Sequence, residues 1–137
     1  MTFEVTATSS SGMGTTWQSE TPHLPSISCA IPPEFMGPGG GFSPEDLFAM
    51  AVLNCVIATF KVYVEKAKAS FAEVRGKASL KVDRLPDGLS MTHIDLFLDI
   101  TGASDVEKVK KLMDNAIRDC AVSRSIKSGK TFHVNVS

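Results

Sequence analysis

The feature that most constrains the fold is an apolar run of 14 residues, from Leu47 to Phe60, interrupted only by Asn54 and Thr59. As a helix this run is about 21 Å long, whereas the hydrocarbon core of a bilayer is roughly 30 Å thick. A helix that is apolar on nearly all sides must be enclosed by protein. The run therefore predicts a buried core helix rather than a membrane span.

The start of this helix is marked by several residues that agree with one another. Ser43 can cap the helix, Pro44 suits its first position, and Glu45 and Asp46 place negative charge in the first turn. The helix is expected to continue to about Ala69, with charged residues on one side of its second half.

Alternation of apolar and polar residues predicts strands on both sides of the long helix. Three short strands are expected before it, and a hairpin from Glu73 to Ile100 turns at Pro86-Asp87-Gly88. Ser104 begins a capping box for a second, amphipathic helix whose apolar stripe ends at Cys120, and Phe132–Val136 predicts a last strand. This order favours an α+β fold with antiparallel sheets. The chain, residues 1–137, is expected to be a single domain.

Composition excludes several classes of protein. A hydrophobic fraction of 43% with a net charge of −1 is not that of a disordered chain, and it provides no basic surface for nucleic acid or an anionic membrane. The first residues lack the basic segment of a signal peptide. Three cysteines in a chain that needs no disulfides favour a cytoplasmic protein with free or redox-active thiols. Because one small sheet cannot cover an all-apolar helix, we also expect a homodimer.

Two of the three cysteines form a candidate redox pair. Cys29 shares a strand face with isoleucines and is interpreted as a core residue. Cys55 and Cys120 point inward from the two predicted helices, and each alone is more often a core residue than an active one. If the helices pack together, the two sulfurs could approach within disulfide range, as reversible thiol oxidation requires.

A resemblance to a known family favours the redox interpretation. The segment Gly37-Pro38-Gly39-Gly40-Gly41-Phe42-Ser43-Pro44-Glu45-Asp46-Leu47-Phe48, followed by a cysteine at position 55, resembles the first cysteine motif of the OsmC/Ohr family. The segment Cys120-Ala121-Val122-Ser123 is similar to its second motif, Cys-Pro-x-Ser, with alanine where proline is usual.

This resemblance implies a function and a set of site residues. It implies an intertwined α+β homodimer that reduces organic hydroperoxides, with Cys55 attacking the peroxide and Cys120 resolving the sulfenate. A dithiol, lipoyl-type in the Ohr branch, would reduce the resulting disulfide, and no metal or cofactor is implied. Glu45 corresponds to the glutamate of the motif. Because ten helical residues span about 15 Å, we expect Glu45 to serve the site of the partner subunit.

One departure from the family pattern leaves alternatives open. An N-terminal arginine stabilises the reactive thiolate in the family, but this chain has no Arg or Lys before Lys61. Arg124 is a possible substitute, and Arg75 and Arg118 are weaker ones. The alternative functions are therefore a dimeric carrier of a small apolar or thiol-reactive ligand with poor turnover, and a redox-responsive regulator.

Overall fold

The computed structural model describes all residues from Met1 to Ser137, which divide into two compact units, Met1–Phe48 and Ala49–Ser137. The elements combine helices with antiparallel strand pairs, so the α+β prediction is confirmed. In chain order they are β1 (Thr6–Thr8), β2 (Trp17–Glu20), β3 (Ile27–Cys29), α1 (Pro44–Lys66), β4 (Glu73–Leu85), β5 (Gly88–Thr101), α2 (Val106–Asp119), α3 (Ala121–Arg124) and β6 (Gly129–Val136).

The first unit contains a three-stranded antiparallel sheet, in the order β1-β2-β3, and the glycine-rich loop. The loop includes a short 3-10 helix, Pro33–Phe35, and Gly37 follows it closely. A Cβ atom at Gly37 would lie 2.0 Å from the carbonyl oxygen of Ile31, so only glycine fits there. The predicted loop therefore folds back closely, with Gly37 packed against the backbone of Ile31.

The start of α1 has the predicted cap. The Ser43 hydroxyl accepts the backbone N–H of Asp46 at 3.0 Å, and the Asp46 carboxylate accepts the backbone N–H of Ser43 at 3.0 Å. This reciprocal pair satisfies two backbone donors that the helix itself cannot satisfy. The helix ends at Lys66, three residues earlier than predicted, because Lys68 adopts a left-handed conformation (φ 54°) and the Ala69 N–H binds the Val64 carbonyl.

The second unit is built on a three-stranded sheet, β4-β5-β6. Its central strand buries every second residue, as the alternation predicts: Ile94, Leu96, Leu98 and Ile100. The prediction of purely antiparallel sheets was wrong in one pairing, since β6 runs parallel to β5. The helices between these strands form the crossover that a parallel connection needs.

One side of α1 packs onto this sheet. A Cβ atom at Gly76 of β4 would lie 2.7 Å from Leu53 Cδ1, so glycine allows the helix to approach closely. The buried residues of α1 recur every four positions: Val52, Val56, Phe60 and Val64. The remaining surface of the helix is exposed and mixes apolar residues such as Met50 (41% exposed) and Val62 (48% exposed) with polar ones such as Asn54 and Lys61. In a single chain, therefore, only one face of the helix is covered.

The same helix is long and apolar enough to cross a membrane by length and composition alone. Its most apolar 18-residue window has a mean hydropathy of 1.9, and 22% of that window is buried. The core helix of a soluble protein passes the same test of length and composition, and Leu53 and Ile57 of this helix lie against the sheet beside Gly76.

The second helix begins one residue later than predicted. Asp105 is its cap, since its carboxylate accepts the backbone N–H of Lys108 at 3.1 Å. The Ser104 hydroxyl instead accepts the N–H of Ser70 at 3.0 Å and fixes the loop after α1. The predicted apolar stripe buries Val109, Met113 and Ala116.

Candidate functional site

Cys55 lies in the middle of α1 and is partly exposed. Its sulfur is a free thiol. Thr59 follows one turn later on the same face of the helix, and its hydroxyl donates a 2.8 Å hydrogen bond to the Cys55 carbonyl. A reactive side chain on a regular helix of 23 residues is held rigidly, which favours a defined geometry.

The sequence pattern predicted that Cys120 lies on the second helix. In the structure it lies between two helices instead. The chain leaves helical conformation there (φ −61°, ψ 115°), which ends α2 at Asp119 and starts α3 at Ala121. The Cys120 side chain is fully buried, and its sulfur accepts the backbone N–H of Ser123 at 3.4 Å. The break therefore makes Cys120 the cap of α3.

Cys55 and Cys120 are brought together, and hydrogen bonds around Cys55 determine its ionisation. Partial burial raises the pKa of the Cys55 thiol, but the backbone of Val122 and the Cys120 thiol donate hydrogen bonds that lower it. The Thr59 hydroxyl and the backbone of Ala121 lower it further. Together the donors outweigh burial, and the pKa of Cys55 is lowered from its ordinary value.

The pKa of Cys120 moves in the opposite direction. Burial, followed by the hydrogen bond to Cys55, raises the pKa of Cys120 to about 11. The Ser123 N–H opposes this shift without cancelling it. These shifts favour the thiolate at Cys55 and the thiol at Cys120. Cys55 is therefore suited to be a nucleophile, and Cys120 a proton donor.

None of the arginines considered as substitutes is among the groups that shift the pKa of Cys55. Arg118 binds the Asp119 carboxylate, Arg75 pairs with Glu73, and Arg124 is exposed at the end of α3. Neutral donors surround the Cys55 sulfur in their place. This arrangement could not be predicted from the sequence, because it depends on backbone N–H groups, which almost every residue has.

A second link, which the sequence did not suggest, fixes the position of Cys120. The Tyr63 phenol donates a 2.6 Å hydrogen bond to Asp119 Oδ2, and Arg118 binds both oxygens of that carboxylate at 2.9 Å. Arg118, then Tyr63, hold the pKa of Asp119 well below its usual range. Because Tyr63 lies on α1 and Asp119 ends α2, the link joins the helices immediately before Cys120. The sequence offered one indication of this link: its only tyrosine lies two helical turns after Cys55.

Glu45 and Cys29 have separate environments. Glu45 lies in the first turn of α1, ten residues before Cys55, and its Oε2 atom is buried without a hydrogen-bond partner. Cys29 is 1% exposed and donates a 3.5 Å hydrogen bond to the Ser19 hydroxyl, which agrees with its interpretation as a core residue. No group of three His, Cys, Asp or Glu side chains could hold a metal ion.

The opposite pKa shifts predict the order in which the cysteines react with iodoacetamide. With a pKa of about 11, only about one Cys120 in ten thousand is ionised at pH 7, whereas the lowered pKa of Cys55 enriches its thiolate. Peptide mass spectrometry of briefly alkylated native protein should find Cys55 modified first. Faster modification of Cys120 would contradict the assignment.

Comparison with known proteins agrees with these features. The family model for OsmC-like proteins matches residues 37–135. The uncharacterized protein ACIAD3023 of Acinetobacter baylyi is 28% identical over 105 residues, which cover 74% of this chain and 71% of that protein.

Solved structures of low sequence identity share the fold. VCA0330, an OsmC-like protein of unknown function from Vibrio cholerae, is 15% identical with a TM-score of 0.85, covering 98% of this chain and 99% of that one. An organic hydroperoxide resistance protein, OsmC, from Legionella pneumophila is 24% identical with a TM-score of 0.76, covering 98% and 97%. The resemblance inferred from the two cysteine motifs is confirmed, and the chain belongs to the family of OsmC-like proteins.

Proposed function

We propose that this protein is a thiol-dependent peroxidase that reduces organic hydroperoxides through Cys55 and Cys120. The observation that carries the proposal is the juxtaposition of two unlike thiols: a partly exposed Cys55 whose pKa is lowered, and a buried Cys120 whose pKa is raised to about 11 by burial and by its interaction with Cys55. The similarity to an organic hydroperoxide resistance protein from Legionella pneumophila supports the choice of substrate class.

The first step uses the opposite protonation states of the two sulfurs. The Cys55 thiolate attacks the terminal oxygen of the hydroperoxide, the O–O bond breaks, and Cys55 becomes a sulfenic acid. The departing alkoxide is far more basic than a thiolate, so it takes the proton of the adjacent Cys120 thiol and leaves as an alcohol. Cys120 is then a thiolate at the moment when its nucleophilicity is needed.

The second step closes a disulfide. The Cys120 thiolate attacks the sulfur of the Cys55 sulfenic acid, the S–O bond breaks, and hydroxide leaves and is protonated to water. A dithiol such as a lipoyl group would return both cysteines to thiols while being oxidised to its own disulfide. No metal or cofactor takes part in these steps.

A homodimer in the cytoplasm is part of the proposal. The exposed apolar residues of α1, among them Met50 and Val62, would be covered by the same helix of a second copy. Such a dimer would give the buried, unpartnered Oε2 atom of Glu45 a place in the site of the other subunit. Three free cysteines agree with a reducing compartment.

Thiol counting tests the peroxidase proposal directly. Reduced protein is mixed with one equivalent of cumene hydroperoxide, and its free thiols are titrated over minutes. Loss of two thiols per chain, with Cys29 remaining free, is expected. Unchanged thiols would contradict the peroxidase function and favour a carrier of a small apolar or thiol-reactive ligand. Oxidation that a dithiol cannot reverse would contradict turnover.

Replacing Tyr63 with phenylalanine is expected to slow the second step more than the first. The change removes the hydrogen bond to Asp119 and loosens the link that holds the chain just before Cys120. The loss of one hydrogen bond predicts disulfide closure about five-fold slower. Dimedone, which traps sulfenic acids, should therefore label Cys55 more heavily than in the wild type. Equal labelling would show that the link does not position Cys120.

A further inference from the structure

We infer that the Thr59 hydroxyl donates a hydrogen bond to the ionised sulfur of Cys55 and is a further catalytic residue of this chain. The inference rests on the proposed role of Cys55 as the nucleophile. It extends that role by assigning part of the stabilisation of the Cys55 thiolate to a neutral hydroxyl, where a cation would otherwise provide it.

The position of Thr59 suits this role. Residues four apart on a helix lie one above the other, so the side chain of Thr59 shares a face with that of Cys55. The Thr59 oxygen lies 2.8 Å from the Cys55 carbonyl oxygen, which places the hydroxyl beside Cys55, and a hydrogen bond from Thr59 lowers the pKa of the Cys55 thiol. Thr59 is half-buried, which limits competition from water for its single proton.

A hydroxyl at this point can serve both states of the cysteine. A threonine hydroxyl has one donor proton, which rotates to suit its surroundings, and two acceptor lone pairs. With Cys55 as a thiol, the hydroxyl donates to the carbonyl and can accept the S–H group. When Cys55 loses its proton, the negative sulfur becomes the stronger acceptor, and the hydroxyl turns towards it. The thiolate thus gains a donor without any movement of the backbone.

Thr59 is one of only two polar residues within the apolar run from Leu47 to Phe60, and the other provides a matched control. The Asn54 amide donates a 2.9 Å hydrogen bond to the Met50 carbonyl, four residues earlier on the same helix, as the Thr59 hydroxyl does to Cys55. Asn54 is exposed and is not among the groups that shift the pKa of Cys55. Its replacement removes a similar helix bond but no donor to the sulfur.

The test measures the rate at which iodoacetamide modifies Cys55 as a function of pH, followed on the Cys55 peptide by mass spectrometry. Thr59→Val keeps the shape of the side chain and removes the hydroxyl. It should raise the pKa of Cys55 and slow its modification at neutral pH about ten-fold, the size expected for one hydrogen bond to a charged group. Thr59→Ser should restore the wild-type profile, and Asn54→Ala should not change it.

The profile decides the inference independently of peroxidase activity. A wild-type profile in Thr59→Val would overturn the role of Thr59, and an equal change in Asn54→Ala would attribute the effect to the helix. Should Thr59→Val fold poorly, Thr59→Ala replaces it with a stronger helix former. If wild-type protein proves inert to cumene hydroperoxide, the proposed function fails, but the alkylation profile still tests the hydrogen bond.

Discussion

Replacing Cys120 with serine is expected to stop the reaction with hydroperoxide at an oxidised Cys55. The sulfenic acid then lacks the thiol that would resolve it, and the remaining cysteine, Cys29, is buried. Excess peroxide should convert it to sulfinic acid, which dithiols do not reduce. Mass spectrometry should therefore find two added oxygen atoms on the Cys55 peptide and no disulfide.

The companion variant Cys55→Ser provides the control. Without the nucleophile, Cys120 is buried and almost entirely protonated at neutral pH, so both remaining thiols should survive one equivalent of peroxide. A Cys29→Ser variant should react like the wild type. Rapid oxidation of Cys120 in Cys55→Ser would reverse the roles assigned to the two sulfurs.

Replacing Phe60 with alanine is expected to cause the largest loss of stability. Phe60 is fully buried on α1, and its ring stacks on that of Phe71 with centroids 5.0 Å apart. Truncating a buried phenylalanine costs about 3–5 kcal/mol, a large part of the 5–15 kcal/mol that stabilises a typical domain. Urea denaturation followed by circular dichroism should show a much lower midpoint.

Phe97 is a matched control for this substitution. It lies on the outer face of the sheet, is 42% exposed, and stacks on His133 with centroids 4.4 Å apart. Phe97→Ala removes the same atoms from a site that is open to solvent, so it should cost clearly less stability than Phe60→Ala. Equal losses in Phe60→Ala and Phe97→Ala would contradict the placement of the core.

Most of the fold could be predicted from local patterns in the sequence. Alternation along β5 predicts its buried face, and the reciprocal bonds between Ser43 and Asp46 begin α1 as the motif indicates. The errors occurred where tertiary contacts override local preference. Ser104 binds the loop after α1 and leaves the cap to Asp105, and the parallel pairing of β6 with β5 is a long-range contact without a local signal.

The candidate site was predictable in its residues but not in its electrostatics. The two motifs identify Cys55 and Cys120, whereas the missing arginine directed attention to other charged side chains. The structure surrounds Cys55 with backbone N–H groups of α3 and with the Thr59 hydroxyl. These donors exist because the chain breaks at Cys120, and the amphipathic pattern of α2 does not show that break.

A disulfide map of the oxidised protein tests the pairing of the two sulfurs most directly. Reduced protein is treated with one equivalent of cumene hydroperoxide, alkylated without reductant, digested and analysed by mass spectrometry. We expect a peptide that links Cys55 to Cys120 within one chain, with Cys29 alkylated as a free thiol. A disulfide that includes Cys29, or recovery of both Cys55 and Cys120 as free thiols, would contradict the proposed function.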